Sequence, residues 1–269
     1  VSRGTSEKHL IVNADDYGYT VGVSEGIRRA HRQGIVSSTS VMMTMPAAVT
    51  ELARLRAEAP TLGAGIHLTV TEGRPFRLPR FWAPTELAAE LARVPAGDLR
   101  CEWQAQIEAF LATGVPLTHL DSHHHAAYRH PKALGILFEL ARECGVPVRN
   151  PYPIGDGEAD ALAGNFVGSG VRHAQRFVDV FDDGPSLAAL LHALEAVSPG
   201  LTEFMCHPGL ADQELRQASR SRAEARAAEL GALVDANARA ALDRLGIKLV
   251  SFAVLALRRL PITSAPIRG

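Results

Sequence analysis

The chain is short of cysteine, of aromatics, of net charge and of long apolar runs. Cys101, Cys144 and Cys206 are its three cysteines, widely spaced and with no C-x-x-C. An odd, scattered set argues against a disulfide framework and for a reducing compartment. The net charge of −1 supplies no basic field to draw nucleic acid or anionic lipid. No apolar stretch approaches the roughly 18 residues of a membrane-spanning helix. Residues 1–9 lack the apolar core of a secretory signal. These absences predict a cytoplasmic protein with no membrane and no nucleic-acid partner. They suit a small, neutral or weakly charged substrate. A homodimer stays open.

Several catalytic signatures are also missing. There is no G-x-x-x-x-G-K-[ST] or G-x-G-x-x-G phosphate loop and no H-E-x-x-H. A G-x-S-x-G elbow of a serine hydrolase is not expected either.

What is present is a globular composition, 46% hydrophobic and 21% charged, enough for one large core. Short apolar runs alternate with helical periodicity. Strands are predicted at 10–14, 37–45, 62–70, 117–122, 146–149, 202–206 and 248–254, with 177–181 a strand or a helix end. Helices are predicted at 23–33, 47–59, 102–113, 132–144, 186–197 and 219–244, with a short one at 85–92. Such alternation calls for a largely parallel sheet with crossover helices, an α/β fold. The expected layout is one (β/α) barrel of about seven strands, distorted, over 10–257. Excursions interrupt it at 72–99 and 151–170. Residues 1–9 are expected to be disordered or non-native, and 258–269 a tail.

Polar clusters follow the strand ends: Asn13-Ala14-Asp15-Asp16, Gly65-Ile66-His67, Asp121-Ser122-His123-His124-His125 and Cys206-His207-Pro208. A barrel mouth would gather them about one axis, whereas an open sheet would spread them out. One aspartate after a strand is ordinarily a cap or turn residue. Two in a row repel unless a cation lies beside them. A lone histidine such as His67 is ordinarily a satisfied core residue, but three adjacent imidazoles are hard to bury without a partner. In an extended chain Asp121, His123 and His125 share a face, so at most two of the three histidines meet one metal. Carboxylate oxygen with imidazole nitrogen is a ligand set for a divalent ion. His207 titrates near neutrality and suits proton transfer. Arg149 would pair with one of the aspartates.

Asn13-Ala14-Asp15-Asp16-Tyr17-Gly18, Gly65-Ile66-His67-Leu68-Thr69, Thr118–His125 and Cys206-His207-Pro208-Gly209, in that order, resemble the YdjC-like carbohydrate deacetylases. The resemblance runs from about residue 10 to about residue 254. It implies a barrel related to the polysaccharide-deacetylase fold that removes the acetyl group from an N-acetylated sugar. It implies one divalent metal, Mg²⁺ or Zn²⁺, on Asp16, His67 and His123. Asp15 would then be the general base, His207 the general acid and Arg149 the residue that orients the base. Tyr17, His125 and Trp82 are the substrate-contact candidates. Where family members often continue the triple histidine with Val-His, this chain has Ala126-Ala127. Two rival readings stand beside this one: a metal-dependent phosphoesterase or other amidohydrolase on a similar barrel, and a sugar-binding module with a structural metal.

Overall fold

The first strand is buried on both faces, and the rest of the fold is arranged around it. β1 (Lys8–Tyr17) has Leu10, Ile11 and Val12 with no exposed surface. A strand buried on both sides reads as a continuous apolar run, which is why the sequence marks it so clearly. The computed structural model describes residues 7–152, 164, 166, 168–218 and 220–255. Most of the 151–170 excursion, most of the N-terminal segment and all of the 258–269 tail lie outside the described residues.

The other strands are β2 (Ser38–Val41), β3 (Gly63–Leu68), β4 (Leu117–Ser122), β5 (Arg176–Asp179), β6 (Gly200–Cys206) and β7 (Ile247–Leu249). All pair in parallel, in the order β4-β3-β2-β1-β6-β5. β7 pairs with Lys8–Leu10 of β1, below the stretch from Asn13 that pairs with β2. The two sheet edges are joined through residues 147–149. Val148 bridges Leu120 of β4, and its N–H donates to the Arg172 carbonyl, on the way into β5. The result is a distorted seven-stranded barrel, as predicted, with 146–149 reduced from a strand to a bridge.

The helices are α1 (Val21–Gln33), α2 (Ala48–Glu58), α3 (Leu87–Arg93), α4 (Ala96–Leu111) and α5 (Pro131–Cys144). They continue with α6 (Leu187–Glu195), α7 (Gln213–Ala218), α8 (Arg220–Leu233) and α9 (Ala236–Leu245). Their ends follow local chemistry. Thr20 caps α1 by accepting from Val23 N–H, and Ser186 caps α6 by accepting from Ala189 N–H. Pro131 opens α5, and left-handed Gly145 closes it. The single helix expected over 219–244 is broken because Asp235 caps a new one, its side chain accepting from Asn237 N–H. α4 starts six residues before its predicted bound, directly after Pro95.

Gly65 shows how closely the barrel interior is filled. A Cβ there would meet the His119 ring at 2.3–2.5 Å, and that ring stacks on Phe252 at 4.0 Å. Gly135, on α5, has nothing within 4 Å of the same position. Gly65→Ala should therefore lower stability by about 1–3 kcal/mol through overpacking. Gly135→Ala should raise it by about 0.4–1 kcal/mol by restricting the unfolded chain. Thermal denaturation of the two variants checks both signs.

Candidate active site

Asp15 and Asp16 reach one site because the chain turns sharply between them. Asp16 has φ +70°, a left-handed conformation that aspartate tolerates better than most residues. The β1–β2 register shifts between Ala14 and Tyr17 at the same place. Both carboxylates are buried. A second left-handed turn at His124 (φ +52°) and His125 (φ +53°) brings all three adjacent histidines to the cavity wall, which simple strand alternation does not anticipate. The cavity measures about 480 Å³ and opens at the carboxyl ends of the strands. Asp15, Asp16, His67, His123 and His207 line it.

Arg149 lies fully buried beneath this wall. Its two terminal nitrogens each donate to Asp15 at 2.7 Å, a fork-on-fork pair. Its Nε donates to Glu203 at 2.7 Å, and one terminal nitrogen lies 3.1 Å from Asp121. Asn13 donates to Asp15 Oδ1 at 2.8 Å. Burial opposes charge on Asp15, but Arg149 and His67 outweigh it and hold the carboxyl below its usual range. Burial pushes Glu203 up to about 7 against the pull of Arg149.

Asp121 ties this cluster to His67. It accepts from Ser40 Oγ at 2.6 Å and from His67 Nδ1–H at 2.8 Å. The second bond fixes the ring so that Nε2 faces the two aspartates, 3.4 Å from Asp16 and 3.7 Å from Asp15. Burial lowers the His67 pKa, but Asp121 and Asp15 reverse this and raise it to about 9. A proton on Nε2 thus stands where the carboxylates call for positive charge. His123 Nδ1 lies 3.1 Å from Asp16 Oδ1.

Asp16, His67 and His123 offer one oxygen and two nitrogen donors, all within 4.8 Å of one another. The set fits a divalent ion. Asp16 Oδ1 is buried and faces both imidazoles, 3.1 Å from His123 Nδ1 and 3.4 Å from His67 Nε2, while its other oxygen is held by Arg226. A second group, Asp15, His67 and Asp121, also lies within that span. It suits a cation less well, because Arg149 already occupies both carboxylates.

His207 stands at the end of β6, on the cavity wall. Burial depresses its pKa to about 4, against the pull of Asp15 and Asp16, so the ring is neutral near pH 7. His125 lines the same cavity, and its buried Nδ1 has no hydrogen-bond partner. Two of the substrate contacts expected from the sequence do not reach the cavity. Tyr17 has no exposed surface, and its hydroxyl donates to the Glu51 carbonyl and accepts from Arg28. Trp82 is buried in the hydrophobic core. Pro84 and Leu87 of the 72–99 excursion line the wall instead.

Three buried charged residues of the site, Glu203, Arg226 and Glu229, were not singled out from the sequence. Glu203 left a signal, a carboxylate inside an apolar strand. Arg226 and Glu229 left none, since α8 is rich in arginine and glutamate along its length. One sequence expectation needs correction. Gly22-Val23-Ser24-Glu25-Gly26 does match G-x-S-x-G. It lies within α1, where Ser24 Oγ accepts from Gly18 N–H and donates to the Thr20 carbonyl. That is a helix-entry bond and not a nucleophile elbow.

The architecture is thus an α/β barrel with a carboxylate–imidazole centre at its mouth. The sequence profile of the YdjC-like protein family matches residues 9–244, and the chain belongs to that family. Among its relatives, a "Carbohydrate deacetylase" of Thermoanaerobacter pseudethanolicus is 35% identical over 77% of this chain and 84% of its own length. Another of that name, from Enterococcus faecalis, is 31% identical over 94% of this chain and all of its own. A crystal structure from Enterococcus faecalis V583, described as a candidate cellobiose-phosphate cleavage protein, superposes with a TM-score of 0.84. It is 30% identical and covers 94% of this chain and all of that one. The chitin deacetylase of Colletotrichum lindemuthianum shares the fold, with a TM-score of 0.50 at 11% identity over 96% of this chain and 91% of its own.

The Asp121 bond makes His67 orientation testable apart from any reaction. Asp121→Asn should weaken binding of Zn²⁺ or Co²⁺ by about 10–100-fold, since removal of such a partner typically has that effect. Calorimetric titration of the metal-free protein measures it.

Proposed function

We propose that this protein is a metal-dependent hydrolase that removes the acetyl group from an N-acetylated sugar, leaving acetate and an amino sugar. One observation carries the reading. A carboxylate held ionised by a buried arginine stands beside a separate oxygen–nitrogen–nitrogen donor set, with an imidazole on the same cavity wall. The relatives named carbohydrate deacetylase support the substrate class.

Asp16, His67 and His123 would hold the metal, and two imidazole nitrogens suit Zn²⁺ or another transition ion better than Mg²⁺. When bound, such an ion polarises an acyl carbonyl and lowers the pKa of a water from about 15.7 toward 7. Asp15 takes the proton from the attacking water. Arg149 keeps Asp15 ionised and fixes both its oxygens, so it is a positioning residue for the base. His207 is neutral at rest. The proton that Asp15 takes from the water is relayed to the ring as negative charge builds on the acyl oxygen, which returns Asp15 to its ionised form. The ring passes that proton to the departing sugar nitrogen. His125, on the same cavity wall, would contact the sugar.

The phosphoesterase alternative is weakened by the second donor group, which Arg149 neutralises. A closed structural site would have no use for a spare aspartate and histidine beside the donors.

The test is acetate release from N-acetylated chito-oligosaccharides. Release that stops with a chelator and returns with Zn²⁺ is expected. No acetate, together with phosphate release from sugar phosphates, would overturn the reading. Within it, Asp15→Asn should retain stoichiometric metal yet lose at least about 10²-fold in kcat. His67→Ala should lose both metal and turnover, measured by metal content and acetate assay on the same preparations.

A further inference from the structure

The turn that bears His207 is held from outside the barrel. β6 pairs with β1 as far as Cys206 and Ala14, so the His207 N–H lies beyond the sheet. Pro208, which follows it, has no N–H. Glu229 of α8, 6% exposed, accepts the His207 N–H through Oε2. One helical turn earlier, the Arg226 carbonyl accepts the Gly209 N–H at 3.1 Å. On the opposite side Leu210 N–H donates to the Gly22 carbonyl at 3.0 Å. A Cβ on Gly26 of α1 would meet the Gly209 Cα at 2.5 Å. The turn is therefore packed hard against α1 and fastened to α8, with no room to shift toward α1.

The same helix also reaches the other half of the site. The Arg226 side chain binds Asp16, and its guanidinium lies 5.8 Å from the Tyr19 ring centroid. Arg226 and Glu229 are three apart and so share a helix face. One rigid element thus touches both the donor set and the histidine turn.

We infer that Glu229 is a positioning residue for the proton donor: its carboxylate fixes the His207 backbone, and so sets the imidazole at the height where the leaving nitrogen departs. The inference rests on the proposed role of His207 in the deacetylation. In this role Glu229 acts through the backbone bond that it accepts. Glutamine at this position can still accept that bond through its amide oxygen.

The experiment compares wild type, Glu229→Ala and Glu229→Gln on two substrates. One is diacetylchitobiose, whose amine must be protonated to leave. The other is 4-nitrophenyl acetate, whose phenolate leaves unaided. Glu229→Ala should lose about 10²-fold in kcat on the acetamide, the scale of an ångström-size misplacement, with KM little changed. Its ester turnover should stay within about threefold of wild type, because only proton donation is impaired. Glu229→Gln should recover most of the acetamide loss. A second readout needs neither substrate nor metal: the His207 backbone amide, followed by ¹H–¹⁵N NMR, should move upfield and exchange faster in Glu229→Ala but not in Glu229→Gln. Should Glu229→Ala fail to fold, Glu229→Asp, one methylene shorter, takes its place with the same expectations. Equal loss on both substrates, or a glutamine variant as impaired as the alanine one, would overturn the inference. If wild type releases no acetate from the sugar, the functional reading fails separately. The amide signal still decides the positioning, and an unchanged His207 amide in Glu229→Ala would overturn it.

Discussion

A single guanidinium, that of Arg149, sits out of reach of water among Asp15, Asp121 and Glu203. Removing that many ions from solvent costs several kcal/mol each, and only close, well-aligned pairing offsets it. Two functions hang on the arrangement. It keeps Asp15 ionised, as the proposed base must be, and it keeps Asp121 ionised, so that His67 presents Nε2 to Asp16. The backbone that carries Arg149 is the same 147–149 segment that joins the barrel edges. Its N–H donates to Leu120 and its carbonyl accepts from the Tyr128 hydroxyl. Closure of the barrel and assembly of the site are thus one structural event.

Each of the three aspartates of the site has a cationic partner. Asp15, Asp16 and Asp121 face two guanidiniums, Arg149 and Arg226, and the proton on His67. That proton occupies the position from which both aspartates draw positive charge. A divalent ion held there by Asp16, His67 and His123 would answer the same electrostatic demand. Arg226 holds one oxygen of Asp16 and leaves the other facing His67 and His123, so that a single Asp16 oxygen would be available to an ion there.

The parts of this protein that can be read from sequence are those whose side-chain period follows directly from burial. β1 and β3 are apolar runs because both faces are covered, and Asp15-Asp16 and His67 stand out near their ends. Positions set by unusual backbone are harder. The left-handed residues at Asp16, His124 and His125 defeat simple alternation, so the number of histidines facing the cavity is underestimated. Tyr17 and Trp82 show the opposite error: an aromatic beside a motif looks like a sugar platform, while the fold buries it. Glu229 and Arg226 are invisible for another reason. They lie on a helix crowded with the same residue types, and only tertiary packing distinguishes the two that turn inward. Ser24 matches a catalytic string by letter, yet helix geometry removes it from any such role.

What unifies these observations is the proposal of a shared ion on Asp16, His67 and His123 beside the arginine-held carboxylate. X-ray absorption at the metal edge, on protein loaded with one equivalent of Zn²⁺ or Co²⁺, addresses it most directly. Two imidazole nitrogens at about 2.0–2.1 Å with oxygen completing the shell is the expected result. A shell containing sulfur, or one left intact when His67 and His123 are both replaced, would contradict it.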